Sequence, residues 1–189
     1  MMRNPWINSA FARSFDAEIL DEAPYEEPLY FSEDPVVRAR DGLYLRVHLA
    51  SGSSWIGKFA YGDPRFPHLS GLVACPSPDC LLVVSCGAAT YVTVDPVDCV
   101  PVASYPVGQV FACLPLNYIF LADNNRIVAI NRSGIAWCAG RVVPDELRIE
   151  GVENELIHVT GFDPALQTQI ERHVAISSGA VMTPKSQGR

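Results

Sequence analysis

The chain lacks an apolar run long enough to cross a membrane as a helix. Such a span needs about 20 consecutive apolar residues, and none of its apolar stretches approaches that length. Residues 1–14 show no basic start followed by an apolar core, so the sequence predicts no secretion signal, a cytoplasmic location and no membrane partner. Lysine is almost absent, Lys58 and Lys185 being the two, and the net charge is −7. Binding to phosphate backbones needs clustered Lys and Arg, so nucleic acid is not the expected partner. Aromatic residues are not interleaved with basic ones, which argues against a stacking platform for single strands.

Catalytic and cofactor motifs are missing as well. There is no Gly-x-Ser-x-Gly nucleophile turn, and no glycine-rich run that would cradle nucleotide phosphates. No His-Glu-x-x-His or His-x-His spacing occurs. The six cysteines, at 75, 80, 86, 99, 113 and 138, form no Cys-x-x-Cys pair. Cys75 and Cys80 are separated by Pro76-Ser77-Pro78-Asp79, and no matching pair follows. A zinc site normally draws on two closely spaced ligand pairs. The thiols therefore read as small buried hydrophobes in a reducing compartment, with a Cys75–Cys80 bridge as the oxidising alternative. The sequence predicts no cofactor, no metal and no catalytic residue.

What is present is a turn-rich, apolar scaffold. Apolar residues make up 49% of the chain, enough for a folded core, and 15 prolines with 13 glycines favour short strands over long helices. From Asp41, Leu43, Leu45, Val47 and Leu49 alternate with Tyr44, Arg46 and His48, the period-2 signature of a strand with one wet face. Ser51-Gly52-Ser53-Ser54 then turns the chain into a second strand, Trp55 to Ala60. Further strands are expected near 70–75, 80–86, 90–95, 98–104, 108–114, 117–122, 126–131, 134–138, 146–152, 155–160, 170–177 and 179–183. Asn, Asp, Gly and Pro clusters between them supply tight turns.

A weak internal repeat runs through this region. Leu81–Ser85 with Tyr91–Asp95, Tyr118–Ala122 with Arg126–Asn131, and Leu156–Thr160 with His173–Ser177 each read as a strand, a polar break and a second strand. Val83, Phe120 and Val159 hold related places, 37 and 39 residues apart. A period near 40 with paired strands points to stacked β-meanders. The expected fold is all-β, with antiparallel meanders forming a sandwich or partial propeller. Val83, Phe120, Ile130, Trp137, Ile149 and Val159 are the expected core.

The segment Ile127-Val128-Ala129-Ile130-Asn131-Arg132-Ser133-Gly134-Ile135-Ala136-Trp137 resembles the strand–turn–Trp motif of quinoprotein-type β-propeller blades. The stretch from Asp123 to Val181 is also similar to a group of small bacterial β-rich proteins. Their shared pattern appears here as Gly134 with Trp137, Arg141, Asp145 before Leu147 and Ile149, and Gly161-Phe162-Asp163-Pro164. These resemblances imply a β scaffold and carry no activity with them.

Charge is the most uneven property of the chain. Residues 1–35 hold Asp16, Glu18, Asp21, Glu22, Glu26, Glu27, Glu33 and Asp34 against Arg3 and Arg13, which is −6 of the total −7. Prolines at 24, 28 and 35 break the same stretch. The sequence divides into an acidic arm at 1–38, a β-rich domain at 39–183 and a frayed tail at 184–189. Ile7, Phe11 and Phe15 stand at i, i+4 and i+8, which predicts a short helix over Ser9–Leu20. Helix elsewhere is expected only at 163–170, where Asp163 and Pro164 could open one turn.

Local candidates for chemistry are few. The loop Gly62–His68 carries Asp63, Arg65 and His68 between Tyr61 and Phe66. His158 and His173 fall on strands that can pair, and with Asp163 or Glu171 they could hold a metal, but the favoured reading is two polar-face residues. Ser85-Cys86-Gly87 places a thiol at a strand end, where His68 or His158 could act as base. His48 reads as solvated.

The expected function is a non-enzymatic protein-binding module. A basic protein would be met through Asp16, Asp21, Glu22, Glu26, Glu27, Glu33, Asp34, Asp63, Arg65 and His68. One form is a bacterial immunity or antitoxin-type inhibitor of a basic toxin. The alternatives are a hydrolase or metal-dependent enzyme with loop-borne His, Asp and Cys, and a structural or secretion-system accessory protein.

Overall fold

A computed structural model describes residues 6–31 and 35–183. Strand accounts for 55% of the described residues and helix for 4%, so the fold is all-β, and the described strands form four mostly antiparallel sheets with no closed barrel. The chain divides into two compact units, Met1–Pro106 and Val107–Arg189.

The first unit runs β1 (Trp6–Asn8), β2 (Phe15–Leu20), β3 (Leu29–Tyr30), the one-turn helix α1 (Pro35–Ala39), β4 (Gly42–Leu49), β5 (Ser54–Ala60), β6 (Gly71–Ala74), β7 (Cys80–Ser85), β8 (Ala88–Val94) and β9 (Val97–Pro101). One sheet has the order β2-β4-β5-β3 and the other β1-β6-β7-β8-β9. The alternation that marks β4 and β5 sends Leu43, Leu45, Val47 and Phe59 inward, where they meet Leu72, Leu81, Val83, Val92 and Val94. Strand β7 is buried on both faces along its whole length, which is why it reads as a continuous apolar run.

The second unit runs β10 (Gln109–Cys113), a 3-10 turn (Leu114–Leu116), β11 (Tyr118–Ala122), β12 (Ile127–Asn131), β13 (Gly134–Ala139), β14 (Asp145–Glu153), β15 (Leu156–Asp163), β16 (Thr168–Ala175) and β17 (Val181–Met182). Its sheets are the simple meanders β10-β11-β12-β13 and β14-β15-β16-β17. Phe120, Ile127 and Ala129 from one share a core with Ile149, Ile157, Val159 and Val174 from the other. The three repeats read from sequence are the middle hairpins of three sheets, β7–β8, β11–β12 and β15–β16.

Turn chemistry sets the hairpins. Cys86 and Gly87 form a two-residue loop between the paired Ser85 and Ala88, with φ of 47° and 82°. Asn154 and Glu155 do the same between Glu153 and Leu156, at 50° and 62°. The Asp123 carboxylate accepts from the backbone N–H of Asn125 and Arg126 at 2.9 and 2.7 Å, closing the β11–β12 turn.

Three expectations are corrected. Residues 15–20 are strand, not helix: Phe15, Ala17 and Ile19 alternate with Asp16 and Glu18, and β2 pairs along its whole length with β4. Partner strands in a sheet outweigh one weak apolar stripe in an isolated segment. The helical windows also differ, because α1 lies at Pro35–Ala39, and Asp163 instead caps a turn by accepting from the N–H of Ala165 and Leu166. Trp137 is half-buried rather than buried, since its strand β13 is the edge of its sheet; the other five expected core residues are buried.

Candidate functional site

The acidic segment is built into the first unit over its described length. β1 adds to β6 in parallel, β2 to β4, and β3 to β5. Phe11 and Phe15 are core residues, at 8% and 5% exposure. Phe31 stacks on Phe59 with ring centres 5.0 Å apart and meets Trp55 edge-on at 6.2 Å. It does so above Gly57, where a Cβ would stand 2.7 Å from its ring. A freely extended arm is therefore not what these residues form; their apolar side chains bind the segment to its own sheets.

That anchoring sorts the carboxylates. β2 is an edge strand, with β4 on one side only. Its outward residues Asp16 and Glu18 stand opposite His48 and Arg46. Arg46 lies 3.6 Å from Glu18 and 3.8 Å from Glu26, and His48 lies 3.7 Å from Glu18. These exposed pairs contribute little stability individually, typically under about 1 kcal/mol. Asp16, Asp21, Glu22 and Glu27 are exposed and form no ion pair among the described residues. Glu33 and Asp34 lie outside the described residues, as does the tail at 184–189.

The Gly62–His68 loop is held against the β7–β8 turn. The N–H groups of Gly62 and Asp63 donate to the carbonyls of Ser85 and Cys86, both at 3.0 Å. Glycine is required by this approach, since a Cβ at position 62 would lie 2.7 Å from the Cys86 carbonyl. Asp63 and Arg65 neutralise each other. The Arg65 Nε donates to both carboxylate oxygens at 3.0 and 2.9 Å, and its backbone N–H donates to Oδ1 at 3.0 Å. The side-chain bonds first, then the backbone bond, hold the Asp63 carboxyl below its usual pKa. His68 is exposed, its ring edge-on to Phe66 at 6.2 Å.

A cavity of about 260 Å³ opens in the first unit, lined by Tyr30, Phe31, Arg38, Lys58, Thr90 and Cys99 among others. Lys58 donates to the Arg38 carbonyl at 3.1 Å and stands over the rings of Tyr30 and Tyr44, both at 5.8 Å. Arg38 stands over Tyr30 at 5.7 Å. Cationic side chains here rest on aromatic faces, an attraction of roughly 0.5–1 kcal/mol each at exposed sites. Sequence reasoning missed this cavity because its walls come from β3, α1, β5, β8 and β9, which no local motif links.

The catalytic alternatives gain no constellation. Cys86 is buried in its turn, where its sulfur accepts from the Ser70 hydroxyl at 3.7 Å, a partner that is no base. Cys75, Cys80 and Cys113 are buried too, Cys99 is half-buried and Cys138 exposed, with no disulfide among them. Burial, then the neighbouring Cys80, pushes the Cys75 thiol far up; burial and Asp98 push Cys99 up to about 11. Both stay protonated and unreactive at neutral pH. β15 and β16 do bring His158 and His173 together, with ring centres 4.5 Å apart. Asp163 pairs instead with Thr168 and Glu171 with Thr160, and no three His, Cys, Asp or Glu side chains converge as metal ligands among the described residues. No helix among the described residues is long and apolar enough to cross a membrane. Compared with known protein families and with curated proteins, the chain matches none.

Proposed function

We propose that this chain is a non-enzymatic protein-binding module that meets a basic partner through the acidic edge of its first unit. The observation that carries this reading is the gathering of −6 of the −7 net charge into residues 1–35, together with the exposure of Asp16, Asp21, Glu22, Glu26 and Glu27 on and beside edge strand β2. Folding supplies no reason to collect so many like charges, and among the described residues of this segment only Glu18 and Glu26 find an arginine. A basic surface would relieve that repulsion and speed encounter. The open backbone edge of β2 offers the same partner a strand to pair with, while its carboxylates repel acidic or indifferent strands.

The four sheets serve this role as scaffold, in keeping with the likeness of the Ile127–Trp137 segment to propeller blades. One concrete form is a cytoplasmic bacterial immunity or antitoxin-type inhibitor. A basic nuclease or nucleic-acid deaminase presents cations that receive phosphate, and an acidic edge would occupy them. The test is parallel capture from the native host with the wild-type chain and with the E22Q/E26Q/E27Q variant as baits. A basic protein retained by the first and depleted on the second supports the reading. Equal retention on both baits, or retention of acidic proteins alone, overturns it.

A further inference from the structure

The outer face of the last sheet carries a row of side chains that neither the core nor the acidic edge uses. His158 on β15 stands opposite His173 on β16, and His173 stands opposite Met182 on β17. Residues directly opposite in adjacent strands lie on the same face. The core alternation identifies which face it is. Ile157, Val159 and Val174 are inward and at most 2% exposed, so their neighbours His158 and His173 point away from that core. Both histidines are half-buried, and Met182 is 39% exposed. On its other flank His158 meets Gly151, and a Cβ placed there would touch nothing within 4 Å. Gly151 therefore leaves open space on one flank of the imidazole pair, and Met182 holds the register position on the other.

The donor set decides the chemistry. Among the described residues no three His, Cys, Asp or Glu side chains converge here, so the row lacks the set of oxygen ligands that hard cations require and the further nitrogen, oxygen or thiolate ligand usual for zinc. Two imidazoles and a thioether suit a soft, electron-rich ion instead. We propose that His158, His173 and Met182 form a binding site for copper(I).

The two rings meet edge to face, their planes at 61°, so both must turn about their side-chain torsions to aim a nitrogen at one ion. A metal–nitrogen bond of about 2.0–2.1 Å places an imidazole centre roughly 3.2 Å from the ion. Two centres 4.5 Å apart then subtend about 90° at the metal. Opening to a trigonal 120° requires a separation of about 5.5 Å, a change of ~1 Å that side-chain torsions absorb. Trp137 acts as a positioning residue for the third ligand. Its Nε1 donates to the Ile176 carbonyl at 2.7 Å, and its indole covers Gly179 in the turn that leads into β17. That clamp holds a two-residue strand, and Met182 with it, beside His173.

The rival ligand is the exposed thiol of Cys138, so the test uses the full-length Cys138→Ser protein under anaerobic conditions. Silver(I) serves as the diamagnetic probe for copper(I), followed by the methyl signal of Met182 and the ring signals of His158 and His173. The chain has only 3 methionines, two of them Met1 and Met2, so the Met182 methyl is identified by its loss in Met182→Leu. The expected result is that all three side chains shift together and saturate at one equivalent, and that Met182→Leu weakens binding by about tenfold or more. Zinc(II) is expected to leave the Met182 methyl in place. The proposal is overturned if silver(I) moves neither the methyl nor the rings, or if the methyl shift persists in the H158A/H173A protein. Amide signals of Ile157 and Val174 report that each variant keeps its sheet, so loss of binding is not mistaken for loss of fold.

Discussion

Trp137 and Gly179 offer a quantitative test of how the second unit is closed. The indole is half-buried, lies 6.1 Å from the Phe120 ring, and donates to the Ile176 carbonyl at 2.7 Å. Removing a fully buried aromatic costs about 3–5 kcal/mol. Half that burial plus one hydrogen bond of about 1 kcal/mol gives roughly 2.5–3.5 kcal/mol for Trp137→Ala. Gly179→Ala carries two separate penalties. Its φ of +71° costs a side chain about 1–2 kcal/mol, and its new Cβ would stand 2.7 Å from the indole. In the Trp137→Ala background the second penalty disappears. The two substitutions together should therefore destabilise by about 1 kcal/mol less than their sum. Urea unfolding followed by circular dichroism measures the cycle, and amide exchange at Ile157, Val159 and Val174 assigns the loss to this unit. Additivity within about 0.3 kcal/mol, or a Trp137→Ala loss below about 1 kcal/mol, would refute the clamp.

Three further outcomes follow from the first unit and the thiols. Deleting residues 1–35 removes β1, β2, β3 and the core residues Phe11 and Phe15, so unit Met1–Pro106 should lose cooperative unfolding; a native-like fold after deletion would contradict the strand pairing. Alkylation at pH about 8 should modify Cys138 first and Cys99 slowly, with Cys75, Cys80, Cys86 and Cys113 reacting only on unfolding, and mass mapping that finds a buried thiol labelled first would contradict the packing. Stability should fall in alkali: Cys75, Cys99 and Tyr91 all have folded pKa values raised above their unfolded ones, chiefly by burial. The unfolded chain therefore releases protons first, and the stabilisation present below pH about 9 is lost as pH rises through the folded values. A urea midpoint that holds steady from pH about 8 to 10.5 would contradict this sign.

Much of the fold was legible because the strands alternate or run apolar between strong turn signals. The expected strands at 80–86 and 117–122 match β7 and β11 within a residue or two, and Asn154 and Asp123 turn the chain where their side chains and left-handed tolerance allow. The N-terminal stretch was harder to read. Ile7, Phe11 and Phe15 suggest a helix, whereas Phe15, Ala17 and Ile19 suggest a strand, and the choice depends on β4, which lies 22 or more residues away. The partial exposure of Trp137 is not legible in the sequence, because hydrophobicity does not reveal which strand becomes an edge. The pairing of His158 with His173 was legible, but the cationic cavity and the place of Met182 beside that pair were not, for a related reason. Each depends on register between distant strands, and β17 is only two residues long.

In the proposed role, charge on the acidic edge speeds binding to a basic protein. The measurement that tests it most directly is the association rate of the captured partner with the wild-type chain and with E22Q/E26Q/E27Q, across salt from about 50 to 500 mM. The wild type is expected to associate fast, at a rate that falls steeply with salt, and the variant more slowly with a flatter slope, while the stability of the free protein is unchanged. Equal rates and equal salt slopes for the two proteins would contradict it.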